Sequence, residues 1–350
     1  MISTLSAKRS TNSSQPRFED QTPEQRLGSL AEIAGAALER YAIGSTVPPV
    51  LINLSENATY RVDLPGRGPA FALRVHREGY HTRNGIASEL AWMQALRHDG
   101  VATTPVPMPG RDGALIQSVS HPALERPRHV VLFEWESGRE PVPDQRLVEM
   151  FGALGRVSAR LHRHSLSWAR TSNFERLVWD FEAAIGERPL WGRWQDGIGV
   201  DAGKARILGD VVALIGRRLA AFGKGRERFG LTHCDLRLAN LLVDGDRLKV
   251  LDFDDCGFGW YLYDAATAVS FFEHETFVPE ILAAWCAGYR AVRPLSAKEE
   301  AELPTFVMLR RLVLVAWIGS HAETELARSM GAGYTDGTAD LCEAYLSRYG

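Results

Sequence analysis

Between Leu231 and Asp255 the chain reads LTHCDLRLANLLVDGDRLKVLDFDD, and four of its side chains are of the types that phosphoryl transfer requires. Asp235 is able to accept the proton of an attacking hydroxyl. Asn240 and Asp252 offer hard oxygen atoms suited to magnesium, an ion that keeps several waters and takes few protein ligands. Arg237, two residues after Asp235, carries a guanidinium able to reach the oxygens of a transferring phosphoryl group. Asp244-Gly245, between LLV and LKVLDFD, is a hairpin signal that folds the chain back, so Asp252 meets Asn240 despite the gap. A His-x-Asp or an Asp-Phe-Asp alone is a weak signal. Their ordered combination in the second half of a β-then-α chain is a strong one.

The elements that must position these residues follow from periodicity. Residues 1–21 are rich in Ser, Thr and Gln and are expected to be a disordered tail. Thr22-Pro23 opens a helix through about Tyr41. Strand patterns at 50–55, 58–64 and 70–75 form an antiparallel meander, a helix follows at 84–98, and two more strands are expected at 114–119 and 129–136. The first half is therefore a five-stranded antiparallel sheet with one helix packed on it. Gly and two prolines in SGREPVPD, residues 137–144, mark a boundary. Beyond it, helices are expected at 145–162, 202–221, 264–272, 279–291, 297–319 and 335–348, with a β insert at 241–254. The fold class is α+β and two-lobed: tail 1–21, N-terminal nucleotide-binding lobe 22–136, and C-terminal catalytic and acceptor-binding lobe 137–350. A cleft between the lobes is the expected ligand site.

Composition narrows the function classes. The 350 residues are 45% hydrophobic and 24% charged, which is ordinary for globular domains, and a net charge of −3 advertises no nucleic-acid footprint. Four cysteines lie scattered without a CxxC pair, which argues against a disulfide framework or a zinc site and fits a reducing cytoplasm. The opening MISTLSAKRSTNSSQ lacks the apolar region of a secretory signal, and the apolar stretch 306–319 is interrupted by Arg310 and Arg311, so neither export nor a membrane span is expected. Oligomeric state is not legible.

HCDLRLAN resembles the catalytic loop of the protein-kinase-like superfamily, and more closely that of its aminoglycoside phosphotransferase and choline kinase branch. Asp252-Phe253-Asp254 stands where protein kinases have Asp-Phe-Gly, and Asp264 in YLYDAATA matches the branch's Asp-Leu-Ala motif. The resemblance implies a protein-kinase-like fold, ATP and Mg2+ as cofactors, and a small hydroxyl-bearing substrate. It gives Asp235 and Arg237 catalytic roles and Asn240 and Asp252 the metal. It also implies that His233 orients the loop and that Asp264 braces its backbone. Cys234 and Cys256 have no nucleophile's partners and are read as bland neighbours.

In the first half, the turn from Asn53 to Tyr60 has neither a GxGxxG nor a Walker signature. It resembles the Ser/Glu/Asn turn of the phosphotransferase branch. There Ser55 and Asn57 would donate to phosphate; alternatively this is only a polar hairpin turn. Arg74, in FALRV, stands where the family has its phosphate-anchoring Lys, and Glu89, in SELAWMQAL, matches the Glu that pairs with that Lys. An Arg74–Glu89 ion pair is thus expected. Backbone groups from Glu134 to Glu136 would meet the adenine edge, with Phe133 lining the pocket or serving as core.

SELAWMQALR, FEWESGRE and DFDDCGFGWYLYDAATA look most like stress response kinase A and homoserine kinase type II relatives. Three activities stand: a small-molecule hydroxyl kinase, a protein Ser/Thr kinase, or a nucleotide-binding pseudokinase that has lost the Lys. The link 255–263 has two tyrosines and no Ser or Thr, too short a platform for a peptide, which favours the first. A cationic acceptor would be met by Asp255, Trp260, Tyr261, Glu273 or Glu275, an anionic one by Arg310 and Arg311; each is equally a candidate for surface charge or core. The segment 165–200, with Trp168, Trp179, Trp191 and Trp194, reads as an insertion shaping the acceptor site or as packing anchors.

Overall fold

The computed structural model describes residues 16–142 and 147–350. The chain forms two compact units. The first runs through Tyr80 and takes in Pro107–Glu134; the second comprises His81–Val106 and Trp135–Gly350.

In the first unit, helix α1 (Pro23–Leu38) starts at a capping box. The Thr22 hydroxyl accepts from the Gln25 N–H, and the Gln25 side chain accepts from the Thr22 N–H at 2.9 Å. Strands β1 (Val50–Leu54), β2 (Ala58–Leu64) and β3 (Gly68–Val75) form the meander, and β4 (Pro107–Met108), β5 (Gln117–Val119) and β6 (Arg128–Glu134) complete an antiparallel sheet. Its order is β1-β2-β3-β6-β4, with β5 also pairing β6. Ala58, Tyr60 and Val62 alternate inward along β2 and meet Ile33, Ala34 and Ala37 of α1. Burial of each large apolar side chain there contributes about 1.5–3 kcal/mol.

The sheet has six strands where the sequence pattern indicates five. β4 is only two residues long, too short to leave a period. β5 begins three residues later than expected because Asp112 closes a turn, accepting from the Ala114 N–H and from the Gln117 amide. Part of the expected tail is ordered. Phe18–Asp20 form a 3-10 turn, Phe18 N–H donates to Ala123 O at 2.8 Å, and Gln21 is buried and accepts from Ser29. The rest of that tail, 1–15, lies outside the described residues.

The second unit holds α2 (Arg83–His98), α3 (Leu147–Ser167), α4 (Phe181–Ile185), α5 (Ala202–Phe222), α6 (Tyr263–Ala268), α7 (Val278–Arg290), α8 (Ala297–Glu300), α9 (Leu303–Ser320) and α10 (Glu325–Tyr349). Strand β7 (Leu177–Trp179), β8 (Phe229–Thr232) and β11 (Gly257–Trp260) form a small mixed sheet, and β9 (Leu241–Asp244) pairs β10 (Arg247–Val250) as the expected hairpin. β7, β8 and β11 are not legible in the sequence because each has three or four residues and, unlike β9 and β10, is announced by no tight-turn signal.

The sequence reading put 81–106 in the first lobe, whereas the contacts group it with the second. Trp92 of α2 meets Phe253 edge-on at 5.5 Å, and the Gly85 carbonyl accepts from buried Arg176. Residues 143–146, in which the expected boundary ends and the expected helix 145–162 begins, lie outside the described residues; the helix continues past its expected end to Ser167. The expected helix 297–319 breaks between α8 and α9, where Pro304 in the first turn of α9 cannot donate back to a preceding carbonyl. The expected helix 264–272 ends at Ala268, before Phe271 takes a left-handed φ of 76°. α10 starts ten residues before the expected 335, capped by Thr324, with a kink at Gly331.

By length and composition, Ala297–Ser320 is apolar enough to cross a membrane, yet 78% of its most apolar window is buried within the fold, as for the core helix of a globular unit. α3 and α7 approach so closely that a Cβ on Gly155 would overlap the Trp285 carbonyl oxygen, and one on Gly288 that of Gly152.

Candidate active site

Strand β8 delivers the chain to His233 and then to Cys234, which takes a left-handed φ of 67° that a side chain rarely adopts unaided. Asp264, in the first turn of α6, holds this bend. Its Oδ1 accepts the Cys234 N–H at 2.8 Å, and its Oδ2 accepts from Thr232 Oγ1 at 2.6 Å and from His162 Nε2 at 2.9 Å. Thr267, also on α6, accepts the Leu236 N–H at 2.9 Å, so one short helix fixes both flanks of Asp235. His233 accepts the Asp235 N–H at Nδ1, which leaves Nε2 to donate to Leu251 O at 2.9 Å.

His162, on α3, was not foreseen as part of this network. It receives the Tyr289 hydroxyl at Nδ1 and directs Nε2 at Asp264. Burial pushes its pKa down despite that carboxylate. Burial also pushes Asp264 up, but the hydrogen bonds from His162 and Thr232 and the neighbouring His162 and His233 outweigh it, leaving the carboxyl below its usual range.

Asp235 is 7% exposed, and three side chains surround its carboxylate. Asn240 Nδ2 donates to Oδ2 at 2.7 Å, and Arg310 Nη2 donates to Oδ1 at 2.5 Å. Arg237 Nε lies 3.4 Å from Oδ2. Because the Asn240 amide nitrogen also reaches Asp235 O, its carbonyl oxygen is the atom left for a cation.

The hairpin does what its spacing implies: Val250 pairs Leu241, and the Leu251 N–H donates to Asn240 O at 2.8 Å, bringing the next residue, Asp252, alongside Asn240. Asp252 is half-buried with a left-handed φ of 53°, a costly conformation that clusters at functional sites. Phe253 behind it is fully buried between Trp92 and His233. Arg176 clamps the segment by donating to the carbonyls of Phe253, Asp254 and Cys256. Nothing in the sequence singled out Arg176; one arginine in a loop leaves no pattern.

Asn240 and Asp252 offer two oxygen donors of the kind a hard divalent ion would take. Among the described residues no group of three or more His, Cys, Asp or Glu is placed to hold a metal.

In the first unit, Arg74 is nearly buried on β3 with its guanidinium 5.4 Å from the Phe133 ring centroid. Asn57 is buried and its Oδ1 accepts the Arg77 N–H at 3.0 Å, so its acceptor atom is spent on the fold, while the Ser55 hydroxyl accepts from Asn53. Glu134 ends β6, exposed, opposite Phe71. In the second unit Glu89 is fully buried on α2, and Glu136 pairs Lys249 and Arg97, each at 3.0 Å. Arg74 and Glu89 thus belong to different units.

The acceptor candidates separate. Trp260 donates to Gly223 O, Tyr261 stacks on His162 at 4.4 Å, and Glu273 takes both Arg311 and the Tyr334 hydroxyl; all three serve the interior. Arg311 further donates to Thr338 and the Tyr334 carbonyl, which removes it as an anion binder. Asp255 is buried and Glu275 is exposed beside His274. Of the four tryptophans, Trp191 packs on Trp179 and lies 5.3 Å from the Arg310 guanidinium, which places one residue of the segment 165–200 next to the partner of Asp235. Burial drives the Cys256 thiol up to about 12 and Cys234 well up, so both are inert as nucleophiles.

Comparison with known proteins gives a consistent picture. Residues 51–295 match the phosphotransferase enzyme family. A microcompartment-associated aminopropanol kinase of known structure is 46% identical and superposes with a TM-score of 0.82 over 90% of this chain and 97% of its own. An uncharacterized protein of Deinococcus radiodurans is 28% identical over 92% of each chain. An amicoumacin kinase solved in complex with AMP-PNP, Ca2+ and Ami shares the fold at 18% identity, with a TM-score of 0.70 over 91% of this chain and 94% of that one.

Proposed function

Because the chain belongs to the phosphotransferase enzyme family and is a kinase acting on the hydroxyl of a small molecule, we propose that it moves the γ-phosphoryl group of ATP to a short amino alcohol in the cytoplasm. The observation that carries this reading is the likeness to the aminopropanol kinase, at 46% identity over nine-tenths of the chain.

In this reading Asp235 accepts the proton of the acceptor hydroxyl as its oxygen attacks the γ-phosphorus. The bond from that phosphorus to the bridging oxygen breaks, and ADP leaves with the electron pair. Arg237 offsets charge on the transferring group. Asn240 and Asp252 would hold Mg2+, which when bound neutralises the phosphate oxygens. His233 and Asp264 keep the loop in place. Arg74, Ser55 and Asn57 serve the phosphates, and the chain from Phe133 through Glu134 to Glu136 serves the adenine. The Asn57 contribution falls to its amide nitrogen, since its oxygen holds Arg77.

The protein-kinase alternative has no structural support. The link after Asp254 is almost wholly buried and forms β11 between β7 and β8, so it offers a peptide no exposed platform. The pseudokinase alternative is disfavoured by the intact Asp235, Asn240 and Asp252.

The test is ATP consumption with magnesium by wild type and Asp235→Asn over aminopropanol, ethanolamine, choline, homoserine, an aminoglycoside panel and a generic protein substrate. Turnover with a short amino alcohol, lost in the variant, is expected. Turnover with protein alone would overturn the assignment.

A further inference from the structure

A buried arginine in an apolar helix demands a partner, because an uncompensated charge in the interior is strongly destabilising. Arg310 is 1% exposed near the middle of α9, among residues that are buried on every side. Its partner is Asp235, whose Oδ1 accepts from Nη2 at 2.5 Å. Burial alone would weaken its hold on the proton, but Asp235, with Tyr263 and Tyr334 beside it, more than reverses this, so the guanidinium stays charged.

Arg310 is itself fixed. Nε donates to the Ser270 hydroxyl at 2.9 Å, that hydroxyl donates on to Thr267 O at 2.7 Å, and Trp191 lies 5.3 Å from the guanidinium. Asn240 meanwhile holds the opposite oxygen of Asp235. A carboxylate gripped at one oxygen still rotates about its side-chain bonds; gripped at both from independent elements it does not.

We propose that Arg310 is the positioning residue of the catalytic base: it acts through Asp235, setting the plane of the carboxylate that receives the acceptor's proton. This rests on reading Asp235 as the base. It also explains why α9 carries a charge its apolar pattern would otherwise exclude.

The test is a double-mutant cycle between Arg310→Met and Asp235→Asn, read on amino-alcohol phosphorylation and on the slow hydrolysis of ATP by water. Arg310→Met is expected to lower kcat on the order of 10²-fold with the KM for ATP unchanged. Arg310→Lys, which keeps charge but not the planar fork, is expected to recover part of the loss. In the Asp235→Asn background, Arg310→Met is expected to cost nothing further. Losses that multiply would overturn the proposal.

If no acceptor is phosphorylated, the acceptor assignment fails while the cycle on ATP hydrolysis still judges Arg310. A crystal structure of Arg310→Met decides independently of turnover. An Asp235 carboxylate turned away from Asn240 supports the positioning role, and one left in place refutes it. Circular dichroism on Arg310→Met and Arg310→Lys separates misfolding from loss of positioning.

Discussion

Asp264 Oδ1 accepts the backbone N–H of Cys234 at 2.8 Å, so a carboxylate thirty residues downstream fixes the left-handed residue that immediately precedes Asp235. The same carboxylate takes Thr232 and His162 on its other oxygen. Asp264→Asn would turn an amide N–H toward one of these donors and leave it buried and unmatched. Leaving a buried donor unmatched in this way costs about 1–3 kcal/mol. A lower denaturant midpoint together with reduced kcat is expected. A midpoint equal to wild type would show that the brace is dispensable.

The His162–Asp264 pair also sets how stability depends on acidity. Both pKa values are lower in the fold than in the unfolded chain, His162 through burial and Asp264 through its hydrogen bonds. A depressed folded value gives stability that is present above the unfolded pKa and lost as pH falls. The His162 share therefore fades below about pH 6.5, and the Asp264 share below about pH 4. The groups facing His162 are Tyr289, Tyr261, Thr232 and Arg293, and the cation of Arg293 adds to the downward push. Denaturant midpoints measured between about pH 7 and 5 should decline in wild type. His162→Gln should flatten that decline; an unchanged slope would assign it to another group.

Arg176 ties down the segment that follows Asp252, with donors on the carbonyls of Phe253, Asp254, Cys256 and Gly85. A lysine ammonium cannot span four carbonyls that a planar fork reaches together. Arg176→Lys is expected to raise the magnesium concentration needed for half-maximal turnover and to lower stability, with the KM for the acceptor unchanged. Equal magnesium dependence in variant and wild type would refute this.

Legibility followed local density of signal. Asp235, Asn240 and Asp252 lie within one short stretch whose hairpin is announced by Asp244-Gly245, and the structure brings Asn240 to Asp235 directly and Asp252 beside Asn240 through the Leu251–Asn240 bond. The meander and the long helices were legible from period alone. Arg310, Arg176 and His162 act at separations of 75, 78 and 102 residues from Asp235, Asp254 and Asp264, distances over which one sequence carries no pairing information. Arg310 leaves one trace, a charge inside an apolar helix, and that trace points to an anion binder as readily as to the partner of Asp235. The short strands β4, β7, β8 and β11 are hidden for the opposite reason: they are local, but too short for a period-2 pattern to rise above composition, and no turn signal such as Asp244-Gly245 announces them.

Asp252 is the residue on which the metal assignment turns. It is half-buried and held in a left-handed conformation by a chain tied to Asn240 on one side and clamped by Arg176 at the next two residues. Two substitutions separate its backbone role from its charge. Asp252→Asn keeps a residue that tolerates φ near 53° while removing the charge; Asp252→Ala removes the oxygen donor and adds backbone strain. If the carboxylate holds the ion, both variants lose magnesium-dependent binding of a nonhydrolysable ATP analogue, while metal-free nucleotide binding persists in Asp252→Asn. Calorimetric titration with and without magnesium reads the two terms apart. Wild-type magnesium dependence in Asp252→Asn would move the ion to other ligands, and loss of metal-free binding as well would make the residue's role conformational.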